Sequence, residues 1–255
     1  MRIDDLVENE TTETFPKEKK YLDKMSTETA VLYMMMSSER VIRELIGASP
    51  KINLAVENVY SILKQSKNGR LIYTGSGTSG RLGALDAVEL LPTFGWPRNR
   101  TKFVLAGGNE SLTRSIEGAE DNFQEGFNQI ISLNCDKSDV LIALSASGQS
   151  QFTLGTVKAA KQTKTFSIGI SNNQNSLLRE ISDLYIPIVT GGEIVAGSTR
   201  LNAGTAQKIC LNIISTLVMA KLGNVKNGLM VNMIPSNKKL KKRKKLIKEQ
   251  LKNLD

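Results

Sequence analysis

Residues 71–81, Leu-Ile-Tyr-Thr-Gly-Ser-Gly-Thr-Ser-Gly-Arg, decide how the chain is read. A short apolar run, Leu71–Thr74, passes straight into the turn Gly75-Ser76-Gly77-Thr78-Ser79-Gly80-Arg81, and a helical pattern follows over Gly83–Leu91. Working outward, the same alternation continues. Further strand-like runs lie at Phe103–Ala106, Val140–Ser145, Thr165–Ile170 and Leu184–Val189. Helical patterns lie between and after them at Leu112–Ile131, Phe152–Lys161, Leu177–Ile181 and Ala203–Leu222. Continuous apolar strands separated by crossover helices imply a parallel sheet covered on both faces. The expected fold class is therefore α/β, a doubly wound five-stranded parallel sheet, over residues 61–224.

Residues 1–60 read as a helical segment. Ser26-Thr27-Glu28 is a cap region, Thr29–Leu45 a helical run, Pro50 a break, and Leu54–Leu63 a second amphipathic pattern. Residues 225–255 form a basic helical tail. The net charge of +9 belongs mostly to that tail, which carries nine Lys/Arg and two Asp/Glu from Ser236 to Asp255. The rest of the chain is nearly neutral, with 25 basic and 23 acidic side chains. Leu240, Ile247, Leu251 and Leu254 share one helical stripe, as expected for a terminal helix docked on the body. Without interleaved aromatic residues the tail offers no base stacking, so a nucleic-acid partner is not expected.

Composition narrows the chemistry. With 40% hydrophobic and 23% charged residues the chain can bury a sizeable core. No apolar run is expected to reach membrane-spanning length. The start, MRIDDLVENE, is acidic and lacks the apolar stretch of a secretory signal. Histidine is absent, which excludes a Ser-His-Asp triad, a Cys-His pair and an HExxH zinc site. Two separate cysteines, Cys135 and Cys210, make a structural zinc cluster untenable and fit a reducing, cytoplasmic interior. Acid–base work is left to carboxylates, lysines, tyrosines, thiols or water.

Two strand ends carry the candidate site. The first runs into Ser76, Thr78 and Ser79; the third runs into Ser145-Ala146-Ser147-Gly148-Gln149-Ser150. Small residues let backbone N–H groups point inward, hydroxyls add donors, and each turn feeds a helix N-terminus that favours an anion. Neither turn is a Walker A loop. The first matches GxGxxG, yet the second strand ends in Ala106-Gly107-Gly108-Asn109 without an acidic ribose ligand. A phosphate monoester held as a handle is the expectation, with chemistry elsewhere on the molecule. Glu89, among apolar neighbours on the first crossover helix, and Glu120, on the next, are the candidate acid–base groups. A third cluster, Gly191–Arg200, has two readings that stay open here. Ser198 or Thr199 caps the long helix, or Glu193, Ser198 and Arg200 complete a sugar pocket.

Taken together, these segments resemble the N-acetylmuramic acid 6-phosphate etherase family, built on the sugar isomerase (SIS) fold. The resemblance rests on LIYTGSGTSGRLGALDAVELLPTFG, IEGAEDN, IALSASGQS and GGEIVAGSTRLNAGTAQKICLNIISTLVMAKLGNVKNGLMV, and runs from Leu22 to Asn237. It implies a lyase that removes the lactyl ether at C3 by taking the C2 proton, expelling D-lactate and adding water, with no cofactor and no metal. It further implies that Glu89 is the proton donor and Glu120 the second catalytic glutamate. The 6-phosphate is expected among Ser76, Thr78, Ser79, Ser145, Ser147 and Ser150. A cytoplasmic homodimer is implied, with part of the interface from Ile209–Leu222. Three positions depart from the family pattern: Leu90-Leu91 replaces Cys-Pro, Gln149-Ser150-Gln151 replaces Arg-Thr-Pro, and Asn202 replaces a lysine. The chain also stops where relatives continue into a small helical module. Two other readings of the same fold are a sugar-phosphate sensor without catalysis and an aldose–ketose isomerase.

Overall fold

In chain order the elements are α1 (Thr27–Gln65), β1 (Leu71–Gly75), α2 (Gly77–Phe94), β2 (Thr101–Leu105), α3 (Phe123–Ser132), β3 (Val140–Leu144) and α4 (Gln151–Gln162). There follow β4 (Phe166–Ser171), α5 (Leu177–Ile181), β5 (Leu184–Pro187), α6 (Asn202–Lys221), the small pair β6 (Val225–Lys226) and β7 (Leu229–Met230), and α7 (Lys238–Lys252). The computed structural model describes residues 11–14, 21–235 and 237–252. The acidic start Met1–Glu10 and Leu254 of the tail stripe lie outside them.

Strands β1 to β5 form one parallel sheet in the order β2-β1-β3-β4-β5. The chain winds outward from β1 to β2, then crosses back to β3, so the topological switch falls between β1 and β3. Ligands of doubly wound sheets bind beyond the strand carboxyl ends at that switch. Gly75 pairs with Leu144, so the two hydroxyl-rich turns leave the sheet side by side.

Alternation along the strands feeds two cores. Leu71, Tyr73, Ile142 and Leu144 pack with Val41, Leu45, Val56, Val59 and Leu63 of α1 and with Cys210, Leu211, Ile214 and Val218 of α6. Ile72, Leu141 and Ala143 pack on the opposite face with Ile130 of α3, Phe152 and Val157 of α4, and Leu178 of α5. Each large side chain so buried contributes about 1.5–3 kcal/mol.

Several expectations need correction. Pro50 does not break the first helix: α1 runs through it for 39 residues. Pro50 faces solvent, and the buried stripe of Val41, Leu45, Ala48, Ile52, Ala55, Val56 and Val59 carries across at three- and four-residue spacing. The carbonyl that loses its N–H partner is thus on the wet side of the helix. The helix expected over Leu112–Ile131 is instead two 3₁₀ turns, Gly108–Leu112 and Ala119–Asp121, followed by α3. Gly118 at φ 68° precedes the second turn, and the Asn122 side chain accepts from the Glu125 N–H at 2.9 Å to start α3. Helix α6 is, by length and composition, apolar enough to cross a membrane, contrary to the sequence reading. Its composition reflects packing against the sheet, with 56% of the span buried within the chain. The same packing removes Cys210, Leu211, Ile214, Val218 and Met219 from any interface between copies.

Candidate active site

The turn after β1 is tight because two glycines meet. A Cβ on Gly75 would stand 2.7 Å from the Leu144 carbonyl oxygen and 2.9 Å from the Gly80 nitrogen, so neither neighbour could give way. The crossing lets α2 begin one residue past Ser76, with its first N–H groups open to the strand tips. After β3, Ser145 Oγ accepts from the Gly148 N–H at 3.0 Å, and Ser147 Oγ accepts from Gln149 N–H at 3.2 Å. Gly148 holds φ 71°, in the left-handed region that L side chains avoid. Ser150 then caps α4 and shares a hydrogen bond of 2.8 Å with Ser76 Oγ, joining the two turns.

These turns enclose a polar cleft of about 240 Å³, lined by Ser76, Thr78, Ser79, Ser145, Ser147 and Ser150. All six phosphate-binding candidates therefore come together, and two helix N-termini, of α2 and α4, open onto the same space. Glu120 lines the cleft as well. It sits on a 3₁₀ turn and not on a helix, its backbone carbonyl 3.5 Å from Ser150 Oγ. Burial, then the neighbouring charges of Asp121 and Glu13, raise its carboxyl above the usual range.

Other candidates fall elsewhere. Glu89 is solvent-exposed rather than enclosed. It lines a separate groove between α2 and α6 with Leu82, Leu85, Asp86, Lys208 and Asn212. From Gly77 to Glu89 is twelve residues of helix, roughly 18 Å along its axis. Within one chain, then, the two glutamates do not face one cavity. Under Glu89, Asp86 is buried, accepting from Tyr73 Oη at 2.7 Å, Asn212 Nδ2 at 2.9 Å and Ser215 Oγ at 3.1 Å. Glu193 does not reach the cleft either. Its carboxylate accepts the N–H groups of Asn202 at 3.0 Å and Ala203 at 2.8 Å, so it starts α6, a task expected of Ser198 or Thr199. Ser198 and Arg200 are outside the cleft wall, whereas Gly197 and Thr199 belong to it. Asn202 is buried against α1, donating to Ser37 Oγ at 2.7 Å and accepting from Ser38 Oγ at 3.1 Å. Its substitution for lysine therefore falls at the α1–α6 contact. A wider groove of about 560 Å³ along α2 and β2 is mostly apolar, lined by Val88, Leu91, Pro92 and Phe103 among others, and lies away from the strand tips.

One cleft residue escaped the sequence reading. Glu13, from the short segment Thr11–Thr14, lines the cleft, with Oε2 3.4 Å from where a Cβ on Gly197 would stand. No periodicity or motif marks residues 11–14, and their position becomes visible only through the buried bond from Thr12 N–H to Asn173 Oδ1, 3.0 Å.

Comparison with known proteins agrees with this architecture. The family model of the glucokinase regulatory protein N-terminal SIS domain matches residues 54–161. A phosphoheptose isomerase from Francisella tularensis superposes with a TM-score of 0.58 at 17% identity, covering 77% of this chain and all of the other. One from Neisseria gonorrhoeae gives 0.53 at 18%, with 78% and 100% covered. At such identities the likeness concerns the fold. Sequence relatives are nearer. The N-acetylmuramic acid 6-phosphate etherase of Clostridium acetobutylicum is 42% identical over 215 residues, 81% of this chain and 71% of that protein. That of Rubrobacter xylanophilus is 41% identical over 228 residues, 89% and 75% respectively. Identity of this order over most of both chains, on a SIS sheet with its hydroxyl-lined switch point, decides the matter: the chain belongs to the N-acetylmuramic acid 6-phosphate etherase family.

Proposed function

We propose that the protein is a carbon–oxygen lyase that converts N-acetylmuramic acid 6-phosphate to N-acetylglucosamine 6-phosphate and D-lactate. The observation that carries this reading is the cleft itself, where six hydroxyls and two helix N-termini stand beside a carboxylic group of raised pKa. The phosphate binds among Ser76, Thr78, Ser79, Ser145, Ser147 and Ser150, as an anchor that costs the reaction no chemistry of its own. The open-chain sugar presents C1 as an aldehyde, which acidifies the C2 proton. Glu120 as carboxylate removes that proton. The electrons form the C2–C3 double bond while the C3–oxygen bond breaks, and an acid protonates the departing lactyl oxygen. Water then adds at C3 and the proton returns to C2. No step requires a metal or cofactor.

The acid is assigned to Glu89 by family resemblance, and its position supports a homodimer in which a second copy brings Glu89 to the cleft. Exposed apolar side chains available to a second copy include Leu85 and Val88 (55% exposed) beside Glu89, and Val31, Leu32, Met35 (66%) and Ile46 (68%) on α1. A cytoplasmic setting is supported by the substrate class and by two free, buried cysteines. A sensor reading is favoured by one observation alone, the separation of Glu89 from the phosphate turns within a chain.

Incubation with N-acetylmuramic acid 6-phosphate tests the function. Wild type should release D-lactate, and reaction in H₂¹⁸O should place the label on C3 of the sugar. Label in lactate contradicts elimination–addition, and tight binding without lactate supports the sensor. Because Glu120 must be ionised to act as base and its carboxyl is raised, kcat/KM should climb with pH through a midpoint above the ordinary glutamate value.

A further inference from the structure

The segment Thr11–Thr14 is built into the cleft wall. Thr12 is completely buried. Its N–H donates to Asn173 Oδ1 at 3.0 Å, and Asn173 Nδ2 donates in turn to the Ser147 carbonyl at 3.1 Å, within the second hydroxyl turn. Thr14 closes a turn on Thr11, with N–H to carbonyl at 3.0 Å, and its own carbonyl oxygen packs where Gly192 leaves room for it. Between these two fixed residues Glu13 turns its carboxylate toward the cavity, beside Gly197. Among the described residues, none of those lining the cleft is basic.

We propose that Glu13 is a positioning residue of this active site, its negative charge acting on Glu120 across the cleft. The inference rests on the etherase reading for its catalytic consequence but not for the coupling itself. A negative charge facing the same small cavity disfavours the ionised form of the Glu120 carboxyl. The other charge bearing on Glu120 is Asp121 on its own turn, and burial acts in the same direction. Glu13 thereby keeps Glu120 a stronger base for the C2 proton than an ordinary glutamate. The N-terminal segment becomes part of the catalytic apparatus, although Glu13 and Glu120 stand 107 positions apart in sequence.

The test is a ¹³C titration of the Glu120 carboxyl in glutamate-labelled protein, assigned by its loss in Glu120→Gln. In Glu13→Gln the midpoint should fall, and the acid limb of kcat/KM should move down by the same amount. Glu13→Asp should restore the midpoint, and Asn173→Ala, which frees the segment while keeping Glu13, should lower it. Glu13 is exposed, so its substitution leaves the core intact. A Glu120 midpoint unmoved in Glu13→Gln overturns the proposal. If wild type releases no lactate, the etherase reading fails while the titration still decides whether the two carboxylates are coupled.

Discussion

The cleft at the tips of β1 and β3 and the groove between α2 and α6 each hold one of the two glutamates, and they are built in opposite ways. The cleft is made of backbone and short side chains. Gly75 and Gly80 touch, Ser76 and Ser150 bond to each other, and Ser145 and Ser147 are tied to the N–H groups of their own turn. Little of it can move without disturbing the sheet. The groove presents long side chains, Glu89 and Lys208, above a buried Asp86 that is satisfied by Tyr73, Asn212 and Ser215. Its polar floor is structural, and Glu89 is exposed to solvent. A fixed cleft can hold a phosphate on its own. An exposed glutamate ringed by apolar side chains becomes useful when another surface covers it.

The sharpest way to break this contrast is Glu120→Gln, expected to lower kcat by about 10³-fold or more while leaving the unfolding temperature unchanged. Glu89→Gln should lose rate similarly. Mixing Glu89→Gln and Glu120→Gln proteins should then recover a fraction of activity through mixed pairs that contain one intact site. No recovery under conditions of subunit exchange would place Glu89 outside the partner's cleft. On the groove side, Asp86→Ala should instead cost stability, about 3 kcal/mol by denaturant unfolding. It strips the partner from three donors at once, two of them buried. Glu193→Ala should cost about 1–3 kcal/mol, because two N–H groups at the start of α6 lose their acceptor. Ser150→Ala is the smallest: about 1 kcal/mol from the α4 cap, together with a roughly tenfold weaker hold on the phosphate.

The sheet was legible because its strands are continuous apolar runs and its crossovers have helical period; all five strands fall within two or three residues of their expected limits. The hydroxyl-rich turns were legible too, since their glycines and serines sit directly at strand ends, and the six hydroxyls do line one cleft. What lay beyond local reading was anything fixed by contacts distant in sequence. Pro50 reads as a stop, but the buried stripe on both sides of it outweighs one missing hydrogen bond. Glu193 reads as a pocket residue, yet its partners are the first N–H groups of a helix nine residues on. Glu89 reads as enclosed because Val88 and Leu90 flank it in sequence, whereas on a helix neighbours point apart and only Leu90 is buried. Glu13 gives no sign of itself at all until Asn173 is seen to hold its segment.

The most direct test of the proposal that the cleft binds phosphate is calorimetric binding of N-acetylglucosamine 6-phosphate and of N-acetylglucosamine to wild type and to the double variant Ser76→Ala, Ser150→Ala. The account predicts that wild type binds the phosphorylated sugar at least tenfold more tightly, and that the double variant loses that preference. Equal affinity for the two sugars, or an unaltered preference in the variant, would contradict it.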